Sequence, residues 1–247
     1  MILAIDAGNT RTKWAVFGDD GNVQDAGVSL NVELAELNIP LSWRACQRAI
    51  LANVAGERVA ISITALLKKA EIAFVCAKSE GETLGLKSKY EAPESLGVDR
   101  WAALVAAFKR YLNQPACLVV NAGTALTIDA IYQNAFMGGL IVPGFSMMQN
   151  ALLQNTAAVN PQNGQAKAFP LSTADASYSG ALTAIVGAIV MQADRLESHC
   201  QDVPTVVMTG GDAAMLMPIL TQVFGAKPVL AENLVLEGLY LMESAKS

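Results

Sequence analysis

The chain reads as an α/β protein made of two similar halves, and three observations carry that reading. A short turn motif occurs twice: Asp6-Ala7-Gly8-Asn9-Thr10 near the start, and Asn121-Ala122-Gly123-Thr124-Ala125 about half a chain later. Each copy lies between apolar, strand-like runs, Ile2–Ile5 and Trp14–Phe17 around the first, Leu118–Val120 and Leu126–Ile128 around the second. After each copy the strand pattern gives way to segments of helical period. A repeat at this spacing points to duplication. A hairpin turn of this composition gathers backbone N–H groups, and glycine leaves an anion room to approach. Two such turns predict two half-molecules facing one nucleotide, and therefore phosphoryl transfer.

Taken in order, strands are expected at 2–6, 12–17 and 23–29, an antiparallel meander with its turn at Gly18-Asp19-Asp20-Gly21. A short strand near 49–54, a helix over Arg58–Ala70 and a short buried strand at Ile72–Cys76 follow. Trp101, Leu104, Val105, Phe108, Tyr111 and Leu112 recur at three- and four-residue spacing, which predicts a helix over 99–112. Asn113-Gln114-Pro115 stops it and sets a boundary between domains 1–114 and 115–247. The meander restarts with strands at 117–121, 125–132 and 135–142. Helices are expected at 145–155, 179–198 and 232–245, and a strand at 204–209 runs into Gly210-Gly211. Residues 156–178, with Pro161 and Pro170, read as a long loop.

Bulk composition narrows the function classes. At 247 residues there is room for two modest domains. The chain is 53% hydrophobic and only 16% charged, which favours an apolar subunit interface. A net charge of −5 with no basic cluster argues against a nucleic-acid partner. Cys46, Cys76, Cys117 and Cys200 are scattered and fit a reducing compartment. His199-Cys200 contains the only histidine and lacks the spacing of a metal site. Asp6 interrupts the apolar N-terminus and no basic leader is present, so no signal peptide is expected. The longest apolar segment, Ala181–Met191, is about half of what a bilayer span needs. A soluble, cytoplasmic protein is the expectation.

Asp6 stands where the first strand enters its turn, placed to hold Mg²⁺ on the outer phosphates of a nucleotide. Gly8 to Thr10 would offer backbone donors, and Lys13 a point charge. An ordinary hairpin would also favour Asp and Asn here. Further on, Gly97-Val98-Asp99-Arg100 opens the periodic helix. The free N–H groups of a helix start attract an anion, and Arg100 can grip one bidentately. Asp99 is either a general base for a substrate hydroxyl or the helix N-cap, and spacing leaves both open. Thr209-Gly210-Gly211-Asp212 after a strand permits close approach to a flat ring, or is a plain strand-to-helix turn.

Together these segments resemble the type III pantothenate kinases, members of the acetate and sugar kinase and actin-like ATPase superfamily. The resemblance spans nearly the whole chain through D-x-G-N-T-x-x-K at 6–13, G-x-D-R at 97–100, x-x-G-T-A at 121–125 and T-G-G-D at 209–212. It implies two ribonuclease-H-like domains with ATP in the cleft between them, and phosphorylation of pantothenate at the start of coenzyme A synthesis. By the same resemblance Asp6, Ala7, Gly8, Asn9, Thr10, Arg11, Thr12, Lys13 and Thr124 bind ATP with Mg²⁺. Asp99 takes the proton, and Tyr90, Gly97, Val98 and Arg100 line the pantothenate pocket. Thr173 reaches pantothenate from the partner of a homodimer. Asn121 departs from the family, which usually has Asp there to help hold an activating potassium or ammonium ion. Losing that charge should weaken the cation site. Asp129 is a poor stand-in, because five strand residues carry it roughly 16 Å from Thr124.

Overall fold

The computed structural model describes residues 1–111, 113–156 and 163–246. The expected helix end at Leu112 and the 157–162 part of the expected loop lie outside the described residues. The elements run β1 (Ile2–Ala7), β2 (Arg11–Phe17), β3 (Val23–Leu30), β4 (Arg48–Asn53), α1 (Glu57–Lys69), β5 (Ala73–Cys76), β6 (Glu82–Thr83), β7 (Leu86–Ser88) and α2 (Val98–Arg110). They continue with β8 (Ala116–Ala122), β9 (Ala125–Tyr132), β10 (Ala135–Pro143), α3 (Phe145–Asn155), α4 (Thr173–Cys200), β11 (Thr205–Thr209), α5 (Ala213–Phe224), β12 (Val229–Leu230) and α6 (Leu234–Ser244). Single 3-10 turns occupy Asn31–Glu36, Leu41–Ala45 and Pro93–Ser95.

Two compact units emerge. The first comprises Met1–Leu112, Asn134–Phe136 and Asn233–Ser247, the second Asn113–Gln133 and Met137–Glu232.

In the first unit a five-stranded sheet has the order β3-β2-β1-β4-β5. Strands β1, β2 and β3 form the antiparallel meander, while β4 pairs parallel to β1 and β5 parallel to β4. β1 is central, and Leu3, Ala4 and Ile5 have no exposed surface. Its side chains alternate between faces. Leu3, Ile5 and Ala7 join Val59, Ile63, Leu66 and Leu67 of α1 in one core cluster. The opposite face meets α6. The Trp14 ring covers Gly27, its register partner on β3, where a Cβ would come within 2.2 Å of the ring. β6 and β7 form a small hairpin, and β7 pairs in parallel with Ala135 and Phe136.

The second unit repeats the scheme, with strand order β12-β11-β8-β9-β10. β8 and β9 are antiparallel, and β11 and β12 add in parallel on the other side. Read from its meander edge, this order matches that of the first sheet strand for strand. Leu118, Val120, Leu126 and Ile128 pack with Leu182, Ile185 and Ile189 of α4 and with Leu216 and Leu220 of α5. By length and composition α4 is the one described helix that could cross a membrane. Its inward residues belong to this core.

Several sequence expectations need correction. α4 begins at Thr173, not 179, because Ser172 caps it by accepting the Asp175 N–H at 3.2 Å. The loop expected over 156–178 therefore ends at Ser172. β5 is an edge strand whose Ala73, Val75 and Cys76 are exposed rather than buried. α5, which the strand-to-helix reading of Thr209–Asp212 allows, has no bounds readable from the sequence, since Pro218 and an apolar run without clear period conceal it. α6 belongs to the first unit, unlike the division at 114/115. The reason is close packing on α2: a Cβ at Gly238 would lie 1.8 Å from the Ala102 carbonyl oxygen. Only glycine allows the two backbones to come so near.

Gly238→Ala is therefore expected to cost about 3 kcal/mol or more, because backbone on both sides must move. Urea unfolding of the variant against the parent chain would measure it.

Candidate active site

The first turn motif closes β1 onto β2, and its geometry follows from the ladder. Asp6 and Lys13 are direct cross-strand partners. Gly8, Asn9 and Thr10 make the turn, with the Gly8 N–H donating to the Arg11 carbonyl at 3.1 Å. That N–H is committed within the turn. Asn9 is exposed and its N–H has no partner among the described residues. Thr12 is buried, and its hydroxyl donates to Asn31 Oδ1 at 2.9 Å rather than facing solvent.

Asp6 is electrostatically the most perturbed carboxyl of the site. Its Oδ1 is closed to solvent and has no hydrogen-bond partner. Burial, reinforced by the Asp99 carboxylate and opposed by Lys13, raises its pKa from 3.8 to about 7. The strand end and the first turn of α2 thus bring Asp6 and Asp99 within electrostatic reach of each other. Two carboxyl groups and one ammonium converge within a single unit.

At the start of α2 the N-cap residue is Gly97, which makes no side-chain cap bond. Asp99 stands in the first turn, where its Oδ1 accepts the Arg100 N–H at 2.9 Å. The Asp99 carboxylate folds back over Gly97, and a Cβ on that glycine would sit 2.7 Å from Asp99 Oδ1. Arg100 is buried, while Val98 is half-buried. Tyr90 stacks on Phe136 with ring centroids 5.8 Å apart, and its N–H donates to Ser88 Oγ at 3.2 Å.

Three side chains that no motif marks hold these segments in place. The buried Ser79 hydroxyl donates to the Leu96 carbonyl at 2.8 Å, just before Gly97. Thr83 Oγ1, on the β6–β7 hairpin, accepts the Trp101 indole N–H at 3.0 Å. Asn31 holds the first turn. Each bond spans a long stretch of sequence, so no local pattern could reveal it.

The second turn motif is held by backbone. Thr124 is exposed, and its carbonyl accepts the Gly144 N–H at 2.9 Å. The Ala122 carbonyl accepts the Asp212 N–H at 3.0 Å, and Gly210 takes a positive φ of 96° against it. Asn121, next to last in β8, is half-buried, its Oδ1 beside Gly210. Burial raises the Asp212 pKa. Thr173 is exposed at the first position of α4. No group of three His, Cys, Asp or Glu side chains fit to hold a metal occurs among the described residues.

The unpartnered Asp6 oxygen suits a divalent cation carried by a nucleotide's phosphates. It also has a measurable consequence. Between about pH 4 and about pH 7 the folded chain keeps a proton on Asp6 that the unfolded chain has lost, so stability falls as pH rises through that window. Asp6→Asn is expected to abolish this contribution, which amounts to up to about 1.4 kcal/mol per pH unit. Urea unfolding of both chains across the window would reveal it; identical pH slopes would show that Asp6 titrates normally.

With the geometry established, comparison with known proteins places the chain. A family model described as type III pantothenate kinase matches residues 2–195. A type III pantothenate kinase from Methylobacillus flagellatus is 42% identical, covering 98% of this chain and 97% of the relative. One from Thiobacillus denitrificans is 40% identical over 96% and 94% of the two chains. Among solved structures, a Campylobacter jejuni protein provisionally described as a Baf family transcriptional activator has a TM-score of 0.64 at 20% identity, covering 99% of this chain and 98% of its own. The ADPNP-bound activator of 2-hydroxyisocaproyl-CoA dehydratase from Clostridium difficile has a TM-score of 0.51 at 10% identity, covering 99% and 95%. Those two likenesses concern the fold, which is that of the actin-like ATPases and sugar kinases. The match to the family model and the near full-length identity to its members settle the wider question: this chain belongs to the type III pantothenate kinases.

Proposed function

We propose that Asp99 is the proton acceptor in the reaction of this pantothenate kinase, and that Asp6 and Lys13 are its phosphate-side partners. The enzyme phosphorylates pantothenate at the expense of ATP, the first step of coenzyme A biosynthesis. The observation that carries the residue assignment is the closed, unpartnered Asp6 oxygen, with Asp99 in the first turn of α2 near enough to act on it electrostatically.

Phosphoryl transfer asks a protein mainly for positioning and for neutralising charge. Mg²⁺ bound with ATP spreads the charge of the outer phosphates, and Asp6 is the residue that would hold it. Lys13 adds a fixed positive charge, and Asn9 offers an outward N–H. Asp99, accepting only the Arg100 N–H, keeps a second oxygen for the pantothenate hydroxyl. It orients that hydroxyl in line with the γ-phosphorus and takes its proton as the O–P bond forms. Ser79 fixes the Leu96 carbonyl and so the entry to Gly97, while Tyr90 offers an aromatic wall beside Phe136. Ala7, Gly8, Thr10, Arg11, Thr12 and Thr124 complete the proposed ATP set, and Val98, Arg100 and Thr173 the pantothenate set.

The homodimer and the cytoplasmic setting belong to the same proposal. Exposed apolar side chains on the second unit support an oligomeric state: Ile141, Met147, Met191, Phe169 and Leu171, the last two 90% and 99% accessible. At Asn121 the usual carboxylate is missing, so activation by a monovalent cation is weak or absent.

Asp99→Asn separates base from structural support, since Asn can accept the same N–H. A folded variant with turnover lowered by about 10²-fold or more is expected, because a positioned base contributes that much. Normal turnover with normal melting would leave Asp99 a structural role only. Pantothenate-dependent ADP release should proceed at similar rates in potassium and sodium buffers. A steep potassium requirement would overturn the cation argument, and no release in either buffer would overturn the assignment of substrate.

A further inference from the structure

We infer that Asn31 is a positioning residue for ATP, fixing the direction in which the first turn presents its backbone donors. This rests on the reading that the 6–13 turn holds ATP phosphates.

Asn31 opens the 3-10 turn after β3 and reaches the phosphate turn by three bonds. Its Nδ2 donates to the Gly8 carbonyl at 2.8 Å. Its Oδ1 accepts the Thr12 hydroxyl at 2.9 Å. Its backbone N–H donates to the Thr10 carbonyl at 3.1 Å. The side-chain amide therefore has its orientation fixed at both ends, by an acceptor on one side and a donor on the other.

The consequence follows from peptide geometry. A trans peptide carries its C=O and N–H on opposite edges of one plane. Holding the Gly8 carbonyl inward on Asn31 turns the Asn9 N–H outward. Flipping that peptide would aim a carbonyl oxygen at an anion and withdraw a donor. Glycine at position 8 makes such a flip inexpensive, so something besides the residue itself must select one orientation. The Asn31 amide does so. It acts at a distance from the phosphate, through the Gly8–Asn9 peptide.

Asn31→Asp keeps an acceptor for Thr12, loses the donor to Gly8 and places charge against a carbonyl. Asn31→Ala removes both contacts. Both variants are expected to weaken ADP and ATP binding by about tenfold or more, as loss of an oriented donor to a charged group should. The KM for pantothenate should stay within about twofold, since among the described residues the Asn31 hydrogen bonds go to Gly8, Thr10 and Thr12 and not to Gly97–Arg100. Thr12→Val should weaken nucleotide binding in the same direction, and combined with Asn31→Ala should add little.

The measurement is calorimetric titration of the purified enzyme with Mg-ADP, alongside steady-state kinetics in both substrates. Lys13→Ala serves as reference. If Lys13→Ala weakens Mg-ADP while Asn31→Asp, folded by its melting curve, does not, the inference on Asn31 falls alone. Equal losses in both substrates would make Asn31 a general structural residue and overturn it too. If Lys13→Ala leaves Mg-ADP binding unchanged, the reading of the turn as a phosphate site falls, and this inference with it. Should Asn31→Ala fail to fold, Asn31→Asp still decides the matter.

Discussion

A half-buried carboxyl group with one oxygen closed to water and unpartnered is unfavourable in isolation, and the first unit is arranged around that constraint. Asp6 is next to last in a strand whose other residues are buried, so the sheet fixes its place. A second carboxyl group, Asp99, raises the difficulty, and Lys13 across the ladder relieves only part of it. A proton or a divalent cation on that oxygen would each relieve the same repulsion.

The duplicated turn is supported in two different ways. In the first unit a side chain, Asn31, reaches across from beyond β3 and clamps the Gly8 carbonyl. In the second unit the support is main chain against main chain. Gly144 comes so close that a Cβ would lie 2.0 Å from the Gly123 carbonyl oxygen, and Gly210 comes equally close to Ala122. Side-chain support can be tuned by single substitutions; backbone support tolerates almost none. The two sheets share a strand order, so the difference lies in how each loop was fastened rather than in the fold that carries it.

Legibility in the sequence tracks how local each cause is. The two turns, the meanders and the α2 stripe were readable because strand alternation and the helical period act over a few residues. The duplicated strand order followed from the repeat. Ser172 and Asp175 spell a helix start, yet the polar composition around them outweighed it. α5 stayed hidden because apolar residues off its buried face, Met215, Ile219 and Val223, blur the period and Pro218 mimics a stop. Asn31, Ser79 and Thr83 were unreadable for another reason. Each acts on a segment far along the chain, and a lone Asn, Ser or Thr carries no sign of its distant partner. Asp99 falls between: its place near a helix start was evident, but its bond to the Arg100 N–H beside an uncapped Gly97 required coordinates.

The tight crossing of Gly238 on Ala102 has a bearing on how the protein is made. α6 is translated after the whole of the second unit, yet α2, the helix that bears Asp99, lies against it. A growing chain on the ribosome can complete the second unit's sheet while the first still lacks one helix and leaves a face of β1 uncovered. The half that carries Asp99 therefore closes last, although its strands are synthesised first. Until α6 docks, α2 and its Asp99 lack the helix they pack against.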